Sequence, residues 1–139
     1  MKKIFGAGIL AVDKQTGRIL LGRRGLKGEQ GNTYAPFGGT YEEKDNIPRI
    51  TAIREFREET GCKVPYLLSK KPFFINDSNH LKFYTYLGLF NSQFPVKINN
   101  ETLDYEWFDI NHIPENLHPG VEEMFTKKIT DITTIISKL

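Results

Sequence analysis

The sequence predicts an α/β (α+β) fold: one mixed β-sheet with helices on both sides. Three observations predict it. Apolar, β-rich runs open the chain, at Ile4 to Val12 and Arg18 to Arg23. A capped amphipathic segment from Ile47 to Thr60 interrupts the strand-like stretches, which then resume. A second amphipathic segment closes the chain from Pro119 to Leu139. Strands, helix, strands, helix is the order of a sheet covered on both faces.

The first run, Ile4 to Val12, has small residues between large apolar ones and fits a buried strand. Asp13 to Gly17 has turn composition, and Arg18 to Arg23 is the return strand of a hairpin. Gly25 to Asn32 is polar and glycine-rich, a mobile loop. Tyr34-Ala35-Pro36-Phe37 is one short strand leading into Gly38-Gly39. The first helix follows. Asp45 or Asn46 caps its start, Pro48 sits in the first turn where no amide donor is needed, and Gly61 suits the left-handed residue past its end. Val64 to Ile75 is a broken or edge strand because of Pro65 and Pro72. Asn76 to Asn79 is a turn. Leu81 to Phe90 is apolar or aromatic on both faces, as in a central strand. Glu106-Trp107-Phe108 is a last short strand. In the second helix Val121, Met124, Phe125, Ile129, Ile132, Ile135, Ile136 and Leu139 share the apolar face.

A chain of 139 residues is expected to form a single domain over 1–139, with a proper core. The net charge of +2 is too small to argue for a nucleic-acid polymer or a membrane surface as partner. No apolar run approaches the ~20 residues of a membrane span, and the start is a poor signal peptide. The single cysteine, Cys62, excludes an internal disulfide and fits core packing in a reducing compartment, so a cytoplasmic location is expected. Monomer and homodimer are both compatible with the sequence.

The chemistry concentrates in Gly38 to Cys62. Glu55, Glu58 and Glu59 stand at i, i+3 and i+4 and share one helix face. Ala52, Ile53, Phe56 and Thr60 form a neighbouring apolar stripe. Like charges at that spacing cost a few tenths of a kcal/mol, and a solvated acidic face is the plain explanation. A hard divalent cation removes the repulsion. Mg²⁺ takes oxygen ligands and binds a few carboxylates together with substrate phosphates.

The stretch Arg54-Glu55-Phe56-Arg57-Glu58-Glu59-Thr60-Gly61-Cys62, with Gly39 ahead of it, resembles the box of the Nudix (MutT-like) hydrolase family, G-x5-E-x7-R-E-U-x-E-E-x-G-U. The first half departs from that pattern. Counting forward from Gly39, Asp45 takes the glutamate position; counting back from Arg54, Asn46 does. One residue is inserted in the loop. The resemblance covers nearly the whole chain. It implies an α/β/α sandwich with the box as loop–helix–loop, and hydrolysis of a nucleoside diphosphate linked to another group.

Under that resemblance, Glu55, Glu58 and Glu59 hold Mg²⁺, with Mn²⁺ as the alternative, and the Gly39 carbonyl is a further ligand. Arg54 orients a carboxylate of the loop or helix. Glu106 resembles a glutamate that some members add from late in the chain, with Glu101 and Asp104 as competitors. The general base is Glu55, Glu58 or Glu106. Arg23 and Arg24 suit phosphate oxygens, with Arg24 resembling a substrate-contacting arginine. Phe37, Tyr84 and Tyr86 are aromatics for stacking a base, against the plainer reading as core, and Asn116 is a candidate base reader. His80, His112 and His118 lack metal-ligand spacing and read as surface or supporting residues. The stretch between Ile75 and Phe83 lacks the proline or tyrosine expected of ADP-ribose and dinucleoside-polyphosphate branches. A nucleoside triphosphate, oxidised or not, is therefore the expected substrate, cleaved to monophosphate and pyrophosphate. An ADP-ribose or dinucleotide pyrophosphatase and a non-catalytic nucleotide-binding module are the alternatives.

Overall fold

The computed structural model describes residues 2–26 and 30–139. Of the loop expected over Gly25–Asn32, residues 27–29 lie outside the described residues. Eight strands form one sheet: β1 Ile4–Asp13, β2 Ile19–Arg24, β3 Tyr34–Ala35, β4 Phe37–Thr40, β5 Leu67–Leu68, β6 Phe74–Asp77, β7 Leu81–Phe90 and β8 Thr102–Phe108. The helices are α1, Pro48–Thr60, and α2, Pro119–Ser137.

β1 organises the sheet. It pairs in parallel with β7 along its whole length, Ile4 opposite Leu81 to Asp13 opposite Phe90. On its other side, antiparallel β4 covers Gly6 to Ile9, and β2 pairs at Val12 opposite Ile19. β2 continues outward to β3 and β8, while β5 and β6 both line the far edge of β7. The mixed sheet is the expected one, and period-2 alternation decides which helix each side chain meets. Ala7, Ile9, Ala11, Leu20, Tyr86 and Trp107 pack with Phe56 of α1. Leu10, Val12, Ile19, Leu21 and Phe108 pack with Met124, Phe125 and Ile132 of α2. Cys62 is buried in the first cluster.

Several boundaries differ from the sequence reading. Tyr34 to Phe37 is two strands. Pro36 has no amide to donate, and the chain crosses there from β2 to β1. β8 starts four residues earlier than expected because Thr102–Tyr105 already pairs with β2. Asn76 and Asp77 belong to β6, opposite Phe83 and Lys82, rather than to the turn. In α2, Ile129 is 39% exposed and Leu139 lies beyond the helix, so neither joins the buried stripe. His118 caps α2, its Nδ1 accepting the Gly120 amide at 3.0 Å.

The start of α1 also differs. Its N-cap is Ile47, and neither Asp45 nor Asn46 caps it with a side chain. Asn46 instead adopts φ 70°, ψ −47° after a 3-10 turn over Glu43–Asp45. The Ile47 amide donates to the Asp45 carbonyl at 2.8 Å. That two-residue bond closes a γ-turn of the rare, strained kind with positive φ. The end of α1 is as expected: Gly61 is left-handed at φ 67° and its amide donates to the Arg57 carbonyl.

Candidate active site

The site is built on the exposed edge of α1. Thr51, Ala52, Phe56 and Thr60 anchor the helix in the core. That leaves Arg54, Glu55, Glu58 and Glu59 along one side. Arg54 is the hub. Its Nε donates to Asp45 Oδ1 at 2.8 Å and its Nη2 to Asp45 Oδ2 at 2.9 Å, a two-pronged pair. Nη2 also reaches the Thr40 carbonyl at 3.1 Å. Nη1 meets Glu55 Oε1 at 2.8 Å, Glu58 Oε2 at 3.1 Å and Glu42 Oε2 at 3.0 Å.

Asp45 is 2% exposed. Besides Arg54 it accepts from the Thr51 hydroxyl at 2.8 Å and the Glu42 amide at 2.9 Å. The Arg54 guanidinium, with those two donors, holds the Asp45 carboxyl well below the usual carboxylate range despite burial. In turn Asp45 raises the Arg54 pKa, so the guanidinium is a permanent charge. Asp45 therefore occupies the supporting position beside Arg54, and Asn46 is exposed on the γ-turn.

Glu55 lies against the backbone of Gly39. A Cβ added to Gly39 would collide with the Glu55 carboxylate, so only glycine leaves room for it. Burial pushes the Glu55 carboxyl up, with Arg54 opposing. Glu59 is also pushed up by burial. The Asn99 amide opposes that shift, while Glu101, Glu55 and Glu58 add to it. Asn99 Nδ2 donates to Glu59 Oε2 at 3.0 Å. Among the described residues Glu59 has no ion pair.

Glu101 thus sits within electrostatic reach of Glu59, and Glu106 does not share its face. Tyr105 and Trp107 pack on the α1 side of β8 and Phe108 on the α2 side, so alternation turns Glu106 toward α2. Its neighbour there is Tyr34, whose pKa it helps raise after burial, Asp104 and other contributions. Asp104 is on that side too, tied to Arg23 by Arg23 Nη2–Asp104 Oδ2 at 2.5 Å and by Nε at 3.1 Å. Arg23 spends its remaining nitrogen on Asn32 Oδ1 at 2.8 Å, so its fork is occupied. Arg24 alternates to the α1 side, is exposed, and makes no ion pair among the described residues. Phe37 is buried core, pressed on Gly22. Tyr86 is core as well, while Tyr84 is half-buried with the Lys82 ammonium 5.5 Å from its ring. Asn116 Nδ2 donates to the Asn32 carbonyl at 2.7 Å, away from α1.

Among the described residues no three carboxylate, imidazole or thiol groups converge as a ready metal cage. The reason is visible: Arg54 holds Glu55 and Glu58, and Asn99 holds Glu59. The donor set still fits a hard divalent cation. It is oxygen only, it lies on one helix face, and two of its carboxyls are half-buried and destabilised as anions. Glu42, Thr51 and Asn99 are the participants that sequence reasoning missed. Thr51 and Glu42 lie within the box stretch, but nothing in the sequence ties Asn99 to Glu59.

The NUDIX domain profile matches residues 2–128. The chain belongs to the NUDIX family. Its members are pyrophosphohydrolases acting on acid anhydrides, and this Nudix chain is an enzyme of that class. A MutT protein from Methanosarcina mazei has a similar structure at 20% identity, covering 94% of this chain and 97% of that one, with a TM-score of 0.72. A C. elegans Ap4A hydrolase is similar at 14% identity over 94% and 98%, TM-score 0.73. So is a bifunctional NMN adenylyltransferase/ADP ribose pyrophosphatase from Francisella tularensis, solved with AMP and a manganese ion, at 16% identity over 94% and 42%, TM-score 0.68. At these identities the likeness is one of fold. No curated protein matches the sequence.

Proposed function

We propose that this Nudix enzyme cleaves a nucleoside triphosphate, oxidised or not, to the monophosphate and pyrophosphate, with Mg²⁺ or Mn²⁺ as its metal. The observation that carries the reading is the α1 face. There three carboxylates share one edge with a single guanidinium, which is divided among Asp45, Glu55 and Glu58, and Glu59 has no ion pair among the described residues. Glu55, Glu58, Glu59 and the Gly39 carbonyl would hold the ion, and Glu101, rather than Glu106, is the acid that adds to them from outside the box. When bound, the ion supplies neutralisation of phosphate charge and a more acidic water.

The protein supplies the rest. Arg54, fixed by the buried Asp45, holds Glu55 and Glu58 in place and prevents their mutual repulsion from splaying them. Glu55, seated against Gly39 and held by Arg54, is suited to take a proton from the attacking water. Among the described residues Arg24 has no ion pair and can pair with phosphate oxygens on the same side of the sheet, whereas the Arg23 fork is occupied by Asp104. That arginine favours a substrate with an extended phosphate chain.

The test is pyrophosphate and phosphate release, with and without Mg²⁺, over a panel of nucleoside triphosphates, oxidised dGTP, ADP-ribose, NADH and diadenosine polyphosphates. Pyrophosphate released from a triphosphate only with metal is the expected result. Glu58→Gln and Glu59→Gln should each lower turnover by at least about 10²-fold with the fold retained. Turnover near wild type in both variants at saturating Mg²⁺ would remove the catalytic role of this face. Preferred cleavage of ADP-ribose or a dinucleotide would replace the substrate class.

A further inference from the structure

The segment between β7 and β8 runs from the end of α1 to the end of β2, and one side chain on it faces both ways. Asn99 Oδ1 accepts the Glu101 amide at 2.9 Å, and the Asn99 carbonyl accepts the Thr102 amide at 3.3 Å. These two bonds make a tight turn of the kind asparagine favours. The Glu101 carbonyl accepts the Gly25 amide at 2.8 Å, which pins the turn to the end of β2 beside Arg24. The other half of the same amide leaves the turn. Asn99 Nδ2 donates to Glu59 Oε2 at 3.0 Å, across to the last carboxylate of α1.

The two ends of this side chain have separable chemistry. Serine or aspartate could build the turn, since each offers an oxygen to the Glu101 amide. Neither offers a nitrogen donor at the distance of Glu59. Asparagine is thus the residue that can accept within the turn and donate outside it. The Glu59 carboxylate has no cation of its own among the described residues, and the bond engages one of its two oxygens.

We propose that Asn99 is a positioning residue for divalent-cation binding. Its amide fixes Glu59 in one orientation with the second carboxylate oxygen available. The inference rests on the reading of Glu59 as a metal ligand. Hydrogen-bond partners of metal-ligating carboxylates typically change metal affinity about 10- to 100-fold when removed.

The experiment uses the full chain without nucleotide. Mn²⁺ is titrated in, and the free ion is followed by its electron paramagnetic resonance signal. Wild type, Asn99→Ser, Glu59→Gln and the double variant are compared. The Ser hydroxyl keeps the turn but is too short to reach Glu59. Asn99→Ser should weaken Mn²⁺ binding about tenfold, with thermal stability unchanged. In the Glu59→Gln background the same substitution should add no further loss, because the two residues act through one bond. A turn that mattered only for folding would lower stability and give additive effects, and that result overturns the proposal. So does Mn²⁺ binding equal to or tighter than wild type in Asn99→Ser. Should Asn99→Ser itself melt early, Asn99→Thr, whose hydroxyl also serves the turn and adds no charge beside Glu59, replaces it in the cycle. Wild type that fails to bind Mn²⁺ at all overturns the ligand role of Glu59 and the Asn99 proposal together. Wild type that binds with Asn99→Ser unchanged overturns the Asn99 proposal alone.

Discussion

Asp45→Asn is the substitution whose outcome the structure determines most closely. Burial makes its cost one of stability as well as turnover. Asp45 accepts four hydrogen bonds: one on Oδ1, from Arg54 Nε, and three on Oδ2, from Arg54 Nη2, the Thr51 hydroxyl and the Glu42 amide. Asparagine has one acceptor oxygen. In its better orientation that oxygen takes the three-donor side, and its own N–H₂ then faces Arg54 Nε. One charge-assisted bond is lost outright, worth about 1.5–3 kcal/mol, and the rest weaken with loss of the charge. Arg54 keeps Glu55, Glu58 and Glu42 as counter-ions, so the cost stays below the ~3–5 kcal/mol of an abandoned buried charge. We expect about 2–3 kcal/mol at neutral pH, a fall in Tm of about 10 °C for a domain of this size. Urea denaturation followed by circular dichroism measures it. The pH dependence is a second check. The folded Asp45 pKa is depressed, so the unfolded chain takes up the proton first. The stabilisation is full above the ordinary aspartate pKa of about 3.9 and is lost as the pH falls through the lower folded value. The gap between wild type and variant should be constant from about pH 7 to about pH 5 and close below about pH 4. A variant within about 0.5 kcal/mol of wild type, or a gap that widens in acid, would show that Asp45 is not the anchor of Arg54.

Arg24→Ala should raise KM for the best nucleotide with kcat little changed, since the side chain is exposed, without an ion pair among the described residues, and off the helix; an unchanged KM in steady-state assays would make it an ordinary surface residue. Glu101→Gln should slow turnover and Glu106→Gln should not, because Glu101 is among the main contributions to the field at Glu59 while Glu106 lies on the other face of β8; the reverse ranking of kcat would return the outside acid to the α2 face of β8. Gly39→Ala should lose activity and stability together, as its Cβ displaces the Glu55 carboxylate; a variant with wild-type turnover and Tm would mean that Glu55 needs no fixed seat.

Much of this geometry was legible in the sequence, for identifiable reasons. β1 and β7 are apolar on both faces and appear where expected, because a strand buried twice leaves no polar alternation to misread. Pro48 and Gly61 bound α1 within a residue, since each acts through its own backbone restriction. The cap was misjudged for a tertiary reason: Asp45 is drawn inward by Arg54, and the chain must turn sharply at Asn46 before the helix begins. The face of Glu106 depends on which side of the sheet Trp107 takes, and alternation alone gives two equal solutions until β8 is set against β2. Asn99 was illegible altogether, because a long-range bond from a turn leaves no periodic trace.

The γ-turn at Asn46 has a consequence for how this box can vary. Relative to the family spacing the loop carries one residue too many and a carboxylate one methylene too short. The turn folds the surplus residue into a sharp corner at φ 70°, and the 3-10 turn before it delivers the shorter side chain to Arg54 at 2.8 Å. The two departures cancel. Neither can then be reverted alone: Asp45→Glu overfills a site that is 2% exposed, and deleting Asn46 pulls the carboxylate out of register. Only the paired change is expected to recover the ordinary loop. The irregularity is a matched compensation between backbone length and side-chain length, and lineages carrying one half of it would be expected to lose the buried pair with Arg54.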